Sequence, residues 1–542
     1  MLTPAQLFVV QQRSLLLSPN QRRACRIVLC LSIVAAVFQA FTASAQTIDP
    51  TAPFRDLNDE ILGDAVILNG KQLFVDDYLI AEMAGTRKVL NQPVKQAENP
   101  LIVPDQPWEK VFNRGSVLYD RDERLFKMWY IVYSEDMQQQ LLAYATSEDG
   151  IHWKKPAFGN GNASNVIPDF QAANPPCVIR DDVDTDPKRR YKMLFGEPAA
   201  DQKNVWFTSV AFSPDGFRWM HDAHNPLIPH SDTLSCPFWD PQRNRYVAYV
   251  RYGPPNIRIV SRIESEDFVF WSPKVTVLRT SAIDAPFNTQ FYGMNVLPYE
   301  GIYLGLITAY HGETIQPIPA DQLWRDRKNV QLAFSRNGMT WNRVSADHLI
   351  DPHETHSNDE WKQLAESAVF IPYGKWKKSW DAGVIYPFHA PIVIDDEIFI
   401  YYYAHNGRNW WNYHGDTVNH GIGLAKLRLD GFVSIEADDV GTLTTKRLLF
   451  IGDTLVLNAD ATGGSIQVEA LDSAGQAIPG FTKDDSIPLT GDSVRHVLQW
   501  QDQPHCQPLQ ARPVTLRFYM HKAKIYSLES RIRHKHLESG GK

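Results

Sequence analysis

Four acidic residues, Asp232, Asp284, Glu366 and Asp381, stand in segments that lead into short apolar runs reading as β-strands. Hydrolysis of a glycosidic bond by the usual route takes two carboxyl groups about 5 to 10 Å apart, one with a raised pKa. These four are therefore the candidate catalytic residues, and the sequence does not say which pair meets. Taken singly, each also reads as a solvated or salt-bridged acid, the commoner state of a carboxylate. Glu109, Glu135 and Glu197 are further acids expected on the same side. Arg114, with Arg251 and Arg258, would favour an anionic group such as a uronate, a sulfate or a phosphate. The alternative for Arg114 is a plain ion pair with a nearby acid such as Asp232.

Two long segments, AYHGETIQPIPADQLWRDRKN and AHNGRNWWNYHGDTVNH, carry His311 in the first and His405, Trp410 and Trp411 in the second. Aromatic rings beside Asn, Asp, Arg and His suit a sugar, which has apolar C–H faces and a rim of hydroxyls. The alternative is that Trp410 and Trp411 pack the loop itself. In SWDAGVIYPFHAP, Asp381 precedes a strand and His389 falls in register near its inner end. A histidine beside an acid there could hold a sugar hydroxyl, tune the acid or bind a metal, or be a histidine bonded to backbone.

No cofactor is expected, for the chain has no nucleotide, flavin or haem motif, no CxxC and no zinc-ligand spacing. Asp182, Asp184 and Asp186 alternate as calcium-loop residues do, but the required glycine and terminal glutamate are missing, so a plain turn is expected. Cys177 and Cys236 occupy equivalent places in successive repeats. They could pair across neighbouring strands or stay as buried thiols.

What must position these residues is a repeated sheet. The stretch GSVLYDRDERLFKMWYIVYSEDMQQQLLAYATSEDGIHW, from Gly115 to Trp153, reads as three antiparallel strands ending in a Ser-x-Asp-Gly-x-x-Trp turn. The turn recurs as SPDGFRW from Ser213, SEDFVFW from Ser265 and SRNGMTW from Ser335, each preceded by another apolar middle strand; a looser fifth copy surrounds IFIYYYAH at Ile398. A single such sheet cannot bury both faces, so repetition implies radial stacking. The expected fold is all-β: a five-bladed β-propeller over residues 70–436, followed by a C-terminal β-sandwich over 437–530. The strand LFVDDYLIAE, from Leu73 to Glu82, is a candidate to close the ring by joining the last blade.

Residues 1–45 read as a secretory signal peptide: Arg13, Arg22, Arg23 and Arg26 precede an apolar run from Ile27 to Ala40, and Ala43-Ser44-Ala45 offers a cleavage site. A membrane anchor is the alternative, but spanning normally takes about 20 apolar residues. Residues 46–69 read as a linker and 531–542 as a polar tail. Cleavage after Ala45 removes four arginines and no acid, taking the formal charge from −8 to −12. So acidic a chain is a poor nucleic-acid binder.

The Ser-x-Asp-Gly-x-x-Trp turns, as in ATSEDGIHW and AFSPDGFRW, resemble the blade ends of glycoside hydrolase families 32 and 43. The trailing sandwich is similar to family 32. That resemblance implies three carboxylates at the beginnings of the innermost strands, and this chain departs from the pattern at all three. Asn113-Arg114-Gly115 stands where the family shows Asn-Asp-Pro, Asn174-Pro175-Pro176 where it shows Arg-Asp-Pro, and Ser235-Cys236-Pro237 where family 32 shows Glu-Cys-Pro. The family's catalytic residues cannot be carried over, and Arg114 and Asn174 become candidate binding residues instead. The reading is a secreted or periplasmic carbohydrate-active protein, a glycoside hydrolase acting on an anionic oligo- or polysaccharide in the axial pocket. The alternatives are a non-catalytic glycan-binding propeller and, more weakly, a phosphorolytic enzyme.

Overall fold

A computed structural model describes residues 65–532, apart from 135–138, 159–163, 172–173, 199–205, 230–234, 253–256, 313–323, 345–356, 410–417, 504 and 511. The expected signal peptide, most of the linker and most of the tail lie outside these residues. Among the described residues no helix is long and apolar enough to cross a membrane.

In blades one to four the third strand ends in the repeated turn, and its hydrogen bonds explain why it repeats. The Ser147 hydroxyl donates to Asp149 (3.0 Å) and accepts from the Gly150 amide (2.9 Å), while Asp149 accepts from the amides of Ile151 and His152 (2.9 and 2.8 Å). Such side-chain-to-backbone closure is what Ser, Asp and Asn supply in turns. The fourth residue must be left-handed, and Gly150, Gly216 and Gly338 take φ of +75°, +85° and +72°. In the third copy Phe268 holds φ +68°; its fully buried ring packs against Tyr246 and Trp271 and offsets the strain.

The blades follow in order. Blade one comprises Val111–Asp120, Leu125–Tyr133, Gln140–Ser147 and Val166–Gln171. Blade two comprises Asn174–Arg180, Tyr191–Pro198 and Trp206–Ser213, with Met220–His221 and Ile228–Pro229 outside. Blade three has Cys236–Asp240, Arg245–Tyr252, Ile259–Ser265 and Val275–Leu278. Blade four has Thr289–Tyr299, Ile302–His311 and Arg327–Ser335, edged by Asn342–Arg343 and Val369–Ile371. Blade five has an interrupted inner strand, Val384–Pro387 then Ile392–Ile394, followed by Glu397–His405 and His420–Arg428. The apolar clusters lie between neighbouring blades, so a middle strand such as Leu125–Tyr133 is buried on both faces and reads as one apolar run.

Two sets of hydrogen bonds tie blade to blade. Carbonyls of the left-handed turn residues accept from aromatic side chains next door: Trp129 to Gly216, Tyr249 to Gly338 and Tyr401 to Gly150, each at 2.8 Å. At the end of the inner strand in blades one, two and three a buried aspartate accepts from a tyrosine of the following blade: Asp120 from Tyr191 (3.1 Å), Asp181 from Tyr246, and Asp240 from Tyr303 (2.5 Å).

The ring closes differently from the sequence expectation. The outermost strand of blade five is Val94–Lys95, paired with Ala425 and Lys426. The candidate strand at Leu73 to Glu82 does not join that blade. Gly70–Leu73 pairs with Ser527 to Ser530, and Ile80–Ala84 pairs with Thr442 to Thr445, both in the C-terminal module. The reason is apolar: Phe74, Leu79 and Ile80 belong to that module's core, with Leu457, Phe518 and Leu528. The module's sheet runs Val66–Leu68, Val433–Phe450, Val514–Arg531, Thr454–Leu471, Leu489–Val497. Its three 18-residue strands shift register at Ala437/Val440 and Asp460/Ser465 among other places. Such bulges bend the sheet about its core.

Asp120 carries a testable load. Burial alone would raise its carboxyl, but Lys127, the Glu123 amide and Tyr191 bring it down to about 2. A depressed carboxyl contributes stability that is fully present above about pH 4 and lost as pH falls through the folded value. Asp120→Asn, which takes the buried charge from Lys127 and Arg180 and leaves Lys127 with Glu123 and Tyr191, should cost about 3 kcal/mol at pH 7. In urea unfolding the gap between variant and wild type should narrow as pH falls from about 4 towards 2.

Candidate functional site

The inner strands are kinked at one level, where each approaches the axis. Register shifts fall between Phe112 and Gly115 in blade one, Asn174 and Cys177 in blade two, and Phe291 and Gly293 in blade four. A β-bulge re-aims the side chain it displaces. In blade one the kink depends on glycine: a Cβ on Gly115 would stand 1.9 Å from the Trp129 carbonyl oxygen. The displaced residues are Arg114 and Tyr292, and they meet.

Tyr292 is half-buried, and four cations surround its ring. Lys328 Nζ lies 4.1 Å from the ring centre, and the guanidinium carbons of Arg251, Arg258 and Arg114 lie at 4.7, 5.4 and 5.7 Å. Arg114 also covers Tyr386 at 4.5 Å, and Arg258 covers Tyr310 at 5.1 Å. Side chains of uncharged polar residues fix the cations: Arg258 donates to Gln290 (2.8 Å), Arg114 to Asn113 (3.4 Å), and Lys328 to Asn409. One carboxylate stands behind, Asp326, which accepts from Tyr310 at 2.6 Å and attracts Lys328.

The charges act on one another. Burial pushes the Tyr292 phenol up, yet Arg251, Arg114 and Arg258 together bring it below its ordinary value. Burial and the same three arginines push Lys328 well down against Asp326. Arg251 is likewise lowered, by burial and by Arg258 and Arg114. Crowded cations that depress one another are relieved by an incoming anion, and a phenol held among them is a ready nucleophile or base.

Of the expected residues, Arg114 joins this cluster with Arg251 and Arg258. His405 lies behind it: its ring is 5.8 Å from Tyr403, and burial followed by Lys328 and His420 brings it down to about 3. Asn174 sits on the blade-two bulge, paired with Gly196. Asp232, Trp410 and Trp411 lie outside the described residues.

The three described candidate acids do not gather at the axis. Asp284 is buried in a short 3-10 turn, Ala282–Phe287, where Arg343 grips both carboxylate oxygens (2.8 and 2.9 Å) and the Ser281 amide adds a third bond (2.7 Å). Burial pushes its carboxyl up while Arg343 pulls against it. Glu366 is exposed on the helix α1 (Asn358–Ser367). Asp381 bonds Lys95 of the ring-closing strand at 2.5 Å, at the outer edge of blade five. Its carboxylate is thus a fastener for the ring. His311 is buried against Thr289 (2.9 Å), and burial brings it to about 4.

His389 does stand on the axis but away from Asp381. Its Nε2 donates to the Pro237 carbonyl at 2.9 Å, beside Cys177 and Cys236. Those two cysteines are free thiols, 3.5 Å apart, rather than a bridge. Tyr292 and Tyr386 were missed from sequence because in a chain rich in strand tyrosines each reads as packing, and Lys328 because a lysine beginning a strand reads as solvated. The one local signal was the FYG of the bulge.

No family model and no curated protein matches the chain. Among solved structures it is similar to a glycoside hydrolase, at 14% identity over 62% of this chain and 92% of that one, with a TM-score of 0.40. It is also similar to a fructofuranosidase from Schwanniomyces occidentalis complexed with fructose (10% identity, 82% and 98% covered, TM-score 0.38). A third is an N-acetylgalactosamine deacetylase from F. plautii in complex with blood group B trisaccharide (13% identity, 64% and 97% covered, TM-score 0.37).

Proposed function

We propose that the protein is carbohydrate-active and takes an acidic sugar, a uronate or sulfated residue of an oligo- or polysaccharide, at the axial mouth. The observation that carries this is the convergence of Arg114, Arg251, Arg258 and Lys328 on Tyr292. Guanidinium groups bind carboxylate and sulfate in paired hydrogen bonds.

The reaction we favour is glycoside hydrolysis, with the Tyr292 phenolate in the nucleophile's place. A tyrosine nucleophile is a known exception to the two-carboxylate rule. It would form a bond to the anomeric carbon as the glycosidic C–O bond breaks. The departing oxygen takes a proton from a solvent water, and the hydroxide left attacks the anomeric carbon, breaking its bond to the phenol oxygen and regenerating the phenolate as the sugar leaves. The second reading, a non-catalytic binding propeller, is favoured by Asp284 and Asp381, both engaged in ion pairs away from the cluster. Export beyond the cytoplasm is proposed from residues 1–45 alone; N-terminal sequencing of the exported protein, expected to start at Gln46, tests it.

The purified chain, offered a panel of neutral, uronic-acid and sulfated glycans, should bind and cleave acidic members only. Binding without release selects the second reading, and neither binding nor release overturns the proposal. Tyr292→Phe should lower kcat by about 10²- to 10⁴-fold while leaving affinity within a few-fold. Arg251→Met should weaken binding of the acidic glycan about tenfold or more. Because a lowered phenol pKa means ionisation begins at lower pH, activity should rise with pH through the Tyr292 titration. Arg251→Met should move that limb to higher pH, read from kcat/KM and from phenolate absorbance.

A further inference from the structure

We propose that the axis holds a second, unrelated site: a soft-metal site formed by Cys177, Cys236 and His389, which takes a thiophilic d10 cation, Cu(I) or Zn(II). Three blades contribute one ligand each. Both sulfurs and a ring nitrogen of His389 lie within 4.8 Å of one another, and all three residues are buried. The sulfurs are 3.5 Å apart. Two thiolates bound to one ion at about 2.3 Å stand roughly 3.5 to 4 Å apart, so small side-chain shifts complete the coordination.

The histidine is held as a metal ligand is held. A carbonyl oxygen only accepts, so the 2.9 Å contact from Nε2 to Pro237 fixes the proton on Nε2 and leaves the Nδ1 lone pair available. Metal-bound histidines commonly anchor their second nitrogen in this way. The backbone around it is held too. His389 lies in the interruption between Val384–Pro387 and Ile392–Ile394; its amide donates to the Gly115 carbonyl, and Asn295 of blade four donates to the carbonyls of Pro387 and Phe388. The neighbouring Ser116 hydroxyl is engaged with Pro176 and Val178 (2.9 and 2.8 Å). Three protein ligands without a fourth suit Cu(I); Zn(II) would take a water as its fourth.

An approach exists from the side opposite the tyrosine cluster. A cavity of about 460 Å³, open between the hairpin ends of blades one and two and lined by Arg121, Asp122, Arg180 and Asp182, reaches His389. Asp122 and Asp182 are both paired with Arg180 there (2.5 and 3.0 Å), so the passage is polar without a net charge of either sign.

The test uses the full mature chain, purified under reducing conditions. Cu(I) is titrated against a chromophoric chelator, zinc is measured by elemental analysis after dialysis, and Co(II) serves as a spectroscopic probe of thiolate ligation. One equivalent of Cu(I) or Zn(II), with a Co(II)–thiolate charge-transfer band, is expected. Cys177→Ser and Cys236→Ser should each abolish the band and weaken binding by at least about 100-fold, beyond what loss of an outer partner does. His389→Gln, which keeps a similar shape, should weaken it while the far-ultraviolet circular dichroism stays unchanged. Should a variant fold poorly, the wild-type protein still decides. Absence of the Co(II) band and of stoichiometric Cu(I) and Zn(II) overturns the proposal. So does a thiol count showing Cys177 and Cys236 joined as a disulfide after purification without reductant.

Discussion

A propeller of this kind depends on how a buried carboxylate is satisfied. Asp120, Asp181 and Asp240 each end an inner strand inside the protein, where an unpaired charge is costly. Each is met by the tyrosine that opens the middle strand of the following blade, and the first two also by a lysine from their own middle strand. The demand for a partner therefore sets the angle between blades as well as their contact. Apolar packing between sheets is tolerant of sliding, whereas a hydroxyl at hydrogen-bond distance from a buried oxygen is not. Once that angle is repeated the inner strands converge, and the mouth residues are brought within reach of one another.

Much of this architecture was legible because it is local. The Ser-x-Asp-Gly-x-x-Trp turn is closed by bonds between residues two or three apart, so its signature survives in the sequence. The blade count followed from it. The ring closure was not legible, because Leu73 to Glu82 and Val94–Lys95 both read as short apolar strands. What separates them is the partner: Phe74, Leu79 and Ile80 fill a core supplied by residues more than 350 positions away. Alternation tells which face of a strand is buried and not against what.

The site was half legible for the same reason. Arg114 was conspicuous because it stands where the resembled families place an acid, and it drew Arg251 and Arg258 with it. The acids were chosen by type and place, but Asp381 is claimed by Lys95, which lies 286 positions earlier, and no spacing rule reaches that far. Tyr292 was hidden by its chemistry. A tyrosine in a strand is packing by default, and only the surrounding arginines, supplied by blades one and three, bring its phenol below its ordinary value. Cys177, Cys236 and His389 likewise come together only through the ring, so no local metal spacing announced them.

The C-terminal module is assembled from both ends of the described chain, since strands within residues 66–90 pair with strands within 433–531. This has a consequence for vectorial synthesis. The earliest strands to leave the ribosome have no partners until the last ones are made, and blade five lacks its outer strand until Val94–Lys95 can meet it. Middle blades can form hairpin by hairpin, but the ring stays an open chain of sheets with unsatisfied edges until His420–Arg428 has emerged to meet Val94–Lys95. Folding of the described residues as a whole is thereby deferred until Val514–Arg531 has been made, and the nascent chain remains threadable up to that point.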